Sequence, residues 1–289
     1  MDRVDYDDKL EDLLQNGPYG KVSRDPDQRF RKQLATLLKP LCESGRLERG
    51  SFLRLCPTHF EEPHMFGFPK VHKAGNPLRP IVSLRNTLFA PLSRMLVDIL
   101  SPFLKEGQSY IGNSAEAKRL ISKSWRRDGP GIMASLDVVS LFTNVPVDEA
   151  ITVLRQRFDE NNQFNGSFDF SEDVFWDLVK FCLTNCYFIC RSEFYIQMDG
   201  VAMGSGVGCT VANLYMTFFE EMALNSAKRI GIPQPGLWIR YVDDVFIIFR
   251  HGEEALKDLK SFLNSLRPCL LYTSPSPRDL STSRMPSSA

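Results

Sequence analysis

Leu237-Trp-Ile-Arg-Tyr-Val-Asp-Asp-Val-Phe-Ile-Ile-Phe249 sets two adjacent carboxylates, Asp243 and Asp244, between stretches apolar enough to be central β-strands. Acids inside such a segment are costly unless they are paired or bound to cations. Tight hairpin turns favour Asn-Gly or Gly-Gly over Asp-Asp. The stretch therefore reads as a hairpin with both acids at its tip, and a break with local preference of this kind marks a functional site. A solvated turn that happens to be acidic is the bland alternative.

About a hundred residues earlier, Gly131-Ile-Met-Ala-Ser-Leu-Asp137 is a short apolar run that ends on a third acid. It reads as a buried strand, and if it lies beside the hairpin three carboxylates converge. Hard oxygen ligands with no His or Cys nearby favour Mg²⁺ or Mn²⁺ over zinc.

The rest of the chain alternates helical and strand patterns. Phe30, Leu34, Leu37, Leu38 and Leu41 recur at helical spacing behind Asp25-Pro26, a start signal. Two apolar stretches over 64–84 flank Lys73-Ala-Gly-Asn-Pro77, which is turn chemistry, so a hairpin is expected. Helices are expected at 88–105, 114–125, 147–158, 172–184 and 253–266, and a second hairpin at 187–197 turning at Arg191-Ser-Glu193. A Gly-rich stretch, Gly200 to Gly208, leads into an apolar helix carrying Val211, Leu214, Tyr215, Phe218 and Met222. No βαβ unit repeats, so the class is α+β. From Leu271 onward Ser, Thr and Pro dominate and no apolar period survives; residues 269–289 resemble adapter or vector sequence, with a disordered tail as the alternative.

Composition narrows the classes further. The chain has 289 residues, with 35 Lys and Arg balanced by 35 Asp and Glu, which excludes wholesale disorder and binding of nucleic acid by bulk charge. The charge is uneven, however. Pro63 to Arg127 holds eleven basic residues against three acids, and phosphate contacts follow local charge. Seven cysteines without a Cys-x-x-Cys pair make no disulfide or zinc framework, so Cys182, Cys186 and Cys190 read as small buried residues. The acidic start is the reverse of a signal peptide, and no apolar run approaches the roughly 18 residues of a membrane helix. An intracellular protein with no membrane partner is expected.

Four motifs in order carry a family resemblance over roughly residues 25–268. Tyr241-Val-Asp-Asp244 between apolar strands resembles the signature of reverse transcriptases. Phe68-Pro-Lys-Val-His-Lys-Ala-Gly-Asn-Pro-Leu-Arg-Pro-Ile-Val82 resembles their basic fingers hairpin, and Ser135-Leu-Asp-Val-Val-Ser-Leu-Phe-Thr-Asn-Val-Pro146 their first catalytic motif. Gln197-Met-Asp-Gly-Val-Ala-Met-Gly-Ser205, followed by Ala212-Asn-Leu-Tyr-Met216, resembles the template-contacting motif and its helix. The wording is closest to Penelope-like and related non-LTR retroelements.

The resemblance implies a right-hand polymerase fold, with fingers and an antiparallel palm sheet backed by helices. It divides the chain into an N-terminal helical segment (1–62), fingers (63–130), palm (131–268) and the tail (269–289). It implies RNA-directed DNA synthesis from deoxynucleoside triphosphates on an RNA or DNA template with a primer, in the nucleus or cytoplasm. Asp137, Asp243 and Asp244 match the catalytic, metal-binding aspartates of a two-ion Mg²⁺ or Mn²⁺ site, with Asp243 the better direct ligand and the Val138 carbonyl completing the shell. Phe142 matches the ring that bars a 2′ hydroxyl; a core Phe is its alternative. Arg79 matches the fingers arginine, and Lys70 and Lys73 remain alternatives for the fingers lysine, against a solvated basic sheet edge. Met203 and Gly204 belong to the nucleotide side, and Ser205, Asn213 and Tyr241 to the template and primer.

Two departures bear on activity. Gly206-Val-Gly208-Cys209 stands where relatives carry a proline-stiffened entry, and should loosen the helix start. Nothing after Leu266-Arg-Pro268 matches the thumb, so a fragment is expected. A decayed nucleic-acid-binding remnant is the alternative function, and a nucleotidyl cyclase with an acid-bearing palm a more distant one.

Overall fold

Apolar alternation in two parts of the chain builds two separate sheets. The computed structural model describes residues 2–71, 73–105, 109–129, 131–160, 171–267 and 270–273. They fall into two compact units, one of Met1–Ser101 with Phe142–Ala212, the other of Pro102–Leu141 with Asn213–Ala289. Each unit therefore draws on two separated stretches, whereas the sequence reading cuts the chain into consecutive segments.

The first unit has a five-stranded sheet in the order β1-β6-β5-β2-β3, built from β1 (Tyr19–Val22), β2 (His64–Pro69), β3 (Leu78–Ser83), β5 (Tyr187–Cys190) and β6 (Glu193–Gln197). The β2–β3 and β5–β6 hairpins stand where turn chemistry placed them. Arg191 and Ser192 form the β5–β6 turn with φ of 52° and 64°, the mirror-image turn that suits strand twist. Arg191 offsets that strain by pairing with Asp7 at 3.1 Å and Glu11 at 3.2 Å on α1 (Arg3–Asn16). The strand β1, with Tyr19 opposite Gln197, was not foreseen, because four residues containing Gly and Lys show no period.

Helix α2 (Asp27–Glu43) buries Phe30, Leu34, Leu38 and Leu41, the expected face. Phe30 meets Tyr187 at 5.6 Å between ring centres, and Phe89 meets Phe181 at 5.7 Å, which packs α2, α4 (Ala90–Leu100) and α8 (Glu172–Thr184) around β5. The unit also holds α3 (Arg49–Leu55), most of the short α6 (Leu141–Asn144) and α7 (Val147–Glu160). Cys182, Cys186 and Cys190 are free and buried, and burial pushes the Cys186 thiol up to about 12, as befits apolar packing residues.

The second unit has a four-stranded antiparallel sheet in the order β7-β8-β4-β9: β7 (Leu237–Tyr241), β8 (Asp244–Phe249), β4 (Ile132–Val138) and β9 (Tyr272–Thr273). Its helices are α5 (Ser114–Asp128), most of α9 (Gly206–Arg229) and α10 (Glu253–Leu266). Strand β9 lies within the stretch expected to be tail. Tyr272 is 0% exposed, and its backbone N–H donates to Asn264 Oδ1 at 2.7 Å. Ser/Thr/Pro content masked the alternation of Leu270 and Tyr272, both buried. Residues 274–289 lie outside the described residues. No helix among the described residues is long and apolar enough to cross a membrane.

Candidate active site

The β7–β8 hairpin closes on the pair Tyr241↔Asp244, which leaves Val242 and Asp243 as a two-residue turn. Both acids were expected at the tip; only Asp243 is there, and Asp244 is the first residue of β8. Val242 has φ of +57°, a left-handed conformation that is an outlier for a β-branched side chain. Two hydrogen bonds hold the strained turn. The Arg240 guanidinium donates from Nη1 to the Val242 carbonyl at 2.9 Å. The Val138 N–H, at the end of β4, donates to the Asp243 carbonyl at 3.0 Å.

Register then sets the acids. Asp137 lies directly opposite Asp244, and Tyr241 and Thr273 continue the same row across all four strands. Directly opposed residues share a sheet face with Cβ atoms about 4.5–5.5 Å apart, so Asp137 and Asp244 face the same way. Asp137 and Asp243 are half-buried, Asp244 is exposed, and Tyr241 is 51% exposed. A set of carboxylates is the kind of oxygen donor that a hard divalent cation takes. Asp137, Asp243 and Asp244 are not among the described carboxylate groups whose oxygens all lie within 4.8 Å of one another.

Sequence reading missed the residue beneath this turn. Arg240 is 0% exposed and pairs with Glu220, 1% exposed, at 3.0 Å. Its other nitrogens donate to Asn213 Oδ1 at 2.8 Å, to the Asn213 carbonyl at 3.1 Å and to Thr217 Oγ1 at 3.1 Å. The Tyr272 hydroxyl donates to Glu220 Oε1 at 3.4 Å, and burial raises that phenol well above its usual range. The available signal was a lone arginine in an apolar strand, a charge that needs a partner when buried. Asn213, expected on the template side, has a buried side chain whose Oδ1 accepts from Arg240.

The remaining expected residues lie in the first unit. Arg79 is exposed on β3, opposite Phe68. Lys70 and Lys73 frame the β2–β3 turn, with Lys73 exposed and its N–H bonded to the Lys70 carbonyl at 2.9 Å. The Met203 carbonyl accepts from the Val82 N–H at 2.8 Å, which joins the Met203-Gly204 turn to β3. Gly204 has φ of +112°, and a Cβ there would collide with the Val82 carbonyl, so only glycine fits. Ser205 is buried, and its Oγ accepts from the Gly208 N–H at 3.1 Å, a helix cap. The Phe142 carbonyl accepts from the Val201 N–H at 2.6 Å, and the Phe142 side chain is half-buried.

The glycines expected to loosen the start of α9 are closely packed. A Cβ on Gly208 would stand 3.1 Å from the Cβ atoms of Ser205 and Val201, and one on Gly206 would stand 3.3 Å from Val97 Cγ2. Elsewhere in this unit, Asp25, Asp27 and Glu62 bring ligand oxygens within 4.8 Å of one another. Burial, then the charges of Asp25 and Glu62, push Asp27 up to about 6.

Comparison with known proteins agrees with this architecture. An apo telomerase from Candida tropicalis, truncated from its C-terminal domain, superposes with a TM-score of 0.57 at 14% identity, over 92% of this chain and 52% of that one. A Candida tropicalis telomerase in complex with a TWJ fragment of telomeric RNA gives 0.56 at 13% identity, over 92% and 42%. The RNA-dependent RNA polymerase of BmCPV at quiescent state gives 0.53 at 13% identity, over 93% and 24%. The chain thus spans about half the length of the telomerases or less, and the likeness shows the α+β right-hand polymerase fold. No curated protein sequence matches the chain. The model of the family described as reverse transcriptase (RNA-dependent DNA polymerase) matches residues 71–276, most of the chain and every motif above except the start of the fingers hairpin, so the chain belongs to the reverse transcriptase family.

Proposed function

We propose that this chain is the fingers and palm of an RNA-directed DNA polymerase from a retrotransposable element of Penelope-like or non-LTR type. One observation carries the reading: Asp137 and Asp244 share a face of the antiparallel sheet beside a turn that bears Asp243, within a chain of the reverse transcriptase family. Asp137, Asp243 and Asp244, with the Val138 carbonyl, would hold two Mg²⁺ or Mn²⁺ ions, which when bound lower the pKa of a primer 3′ hydroxyl and neutralise charge on the leaving pyrophosphate.

The chain's own residues divide the remaining work. Arg79, by its fork, and Lys70 or Lys73, as a point charge, hold the triphosphate. Phe142 occupies the space beneath the sugar and leaves no room for a 2′ hydroxyl. Gly204 lets the backbone approach the nucleotide beside Met203. Tyr241, exposed at the head of the acid row, stacks on the primer or template. Residues 63–130 serve as fingers, 131–268 as palm and 1–62 as a helical support, with a deoxynucleoside triphosphate and a primed RNA template as partners and the nucleus or cytoplasm as the compartment.

The test is Mg²⁺-dependent incorporation of one deoxynucleotide on a primed RNA template, by wild type and Asp243→Asn. Incorporation should fall by about 10²–10³-fold in the variant, the scale set by loss of an electrostatic catalytic group. Incorporation that survives Asp243→Asn or Asp137→Asn sinks the reading.

A further inference from the structure

We infer that Arg240 is a positioning residue for the Asp243 turn, acting from the protein interior on the Val242 carbonyl. The inference rests on the polymerase reading of Asp243 given above.

A buried guanidinium is costly to maintain, and Glu220 alone would neutralise its charge. Yet Arg240 spends only one of its nitrogens on Glu220. Nη2 goes to the Asn213 carbonyl and Thr217 Oγ1, and Nη1 to Asn213 Oδ1 and the Val242 carbonyl. The guanidinium is planar, so fixing Nε and Nη2 on Glu220 and α9 also fixes where Nη1 points. Its backbone is held as well, with the Arg240 N–H donating to the Ser109 carbonyl at 2.6 Å and the Ile111 N–H donating to the Arg240 carbonyl at 3.0 Å.

The group it reaches is the one that needs holding. Val242 sits at φ of +57°, where a β-branched residue stays only if its surroundings over-determine it. The next residue is Asp243. Arg240 therefore anchors one peptide of the turn to α9, while the Val138 N–H anchors the next to β4. The direction of the Asp243 side chain follows from both anchors. Lysine could neutralise Glu220 but lacks the fork that reaches Val242 at the same time.

The experiment compares wild type, Asp243→Asn, Arg240→Lys and the double variant Arg240→Met/Glu220→Gln, all as the full chain. The double variant removes both charges together, so no unpaired ion is left in the interior, and Arg240→Lys serves if the double variant does not fold. Two readouts are taken: amide hydrogen exchange over residues 238–246, and single-nucleotide incorporation resolved into kcat and nucleotide KM. The expected result is turn exchange at least about 10-fold faster, kcat lower by on the order of 10²-fold and KM within about 2-fold, the pattern of a displaced reacting group. Arg240→Lys should show the same split to a smaller degree. Wild-type kcat in the variants, with or without faster exchange, overturns the inference, as does a rise in KM with kcat unchanged. If wild type and Asp243→Asn incorporate equally, the polymerase reading falls, and exchange over 238–246 alone decides whether Arg240 orders the turn.

Discussion

The Arg240 guanidinium donates to the Val242 carbonyl, two residues along the same chain, at 2.9 Å, and so joins a buried charge to a strained turn. The strain can be measured apart from any activity. Asn enters the left-handed region several-fold more readily than a β-branched residue. Val242→Asn is therefore expected to stabilise the chain by about 0.5–1 kcal/mol in urea unfolding. A loss of more than about 1 kcal/mol would mean that the Val242 side chain contributes more than its backbone costs.

Gly204 and Gly45 form a matched pair for the other strained turn. Both have positive φ, but a Cβ on Gly204 meets the Val82 carbonyl whereas one on Gly45 meets nothing within 4 Å. Gly204→Ala should cost about 2–4 kcal/mol, since the turn must leave β3, and Gly45→Ala about 1 kcal/mol for backbone strain alone. Equal costs in thermal unfolding would remove the argument from close approach.

Tyr272 separates packing from hydrogen bonding. Tyr272→Phe deletes only the bond to Glu220 and should cost about 1 kcal/mol. Tyr272→Ala also empties a fully buried site against Trp238, 5.8 Å away between ring centres, and should cost about 3–5 kcal/mol. Denaturant unfolding with similar losses for the two variants would show that β9 adds little to the sheet.

Asp27 supplies a pH dependence. Its folded-state value of about 6 lies above the usual 3.8, so the folded chain binds this proton more tightly than the unfolded one. Stability from this group is present below about pH 4 and is lost as pH rises through about 6. Asp27→Asn should therefore raise the melting temperature relative to wild type at pH 8 and lose that advantage at pH 4. The advantage appearing only at low pH would reverse the assignment.

Phe142 is tested by substrate choice. Phe142→Val should raise the ratio of ribonucleotide to deoxynucleotide incorporation by on the order of 10–100-fold, the range that a change of pocket shape by a few carbons gives. An unchanged ratio would return Phe142 to an ordinary packing role.

Much of this was legible in the sequence because apolar period and turn chemistry are local. The β2–β3 hairpin, the β5–β6 turn, β4 and the face of α2 follow from residues within a few positions of each other. What escaped was set at long range. Asp244 belongs to the strand and not the tip because register with Asp137, more than a hundred residues away, extends β8 by one pair. Tyr19–Val22 is a strand only because β6 offers it an edge. Arg240 reads as a polar interruption in an apolar run until Glu220, a helix away, is placed beside it. Asn213 carried the family's wording, but nothing near it in the sequence points to its bond with Arg240, 27 residues on.

The pairing of Tyr19 with Gln197 also sets a clock. A ribosome adds about 5–20 residues per second, so β1 waits roughly 10–35 s for its partner strand to be synthesised. For nearly all of that interval Phe30, already made, lacks Tyr187, the ring it later packs against. Yield in a cell should therefore depend on translation speed and on holdase chaperones more than the stability of the finished sheet would suggest.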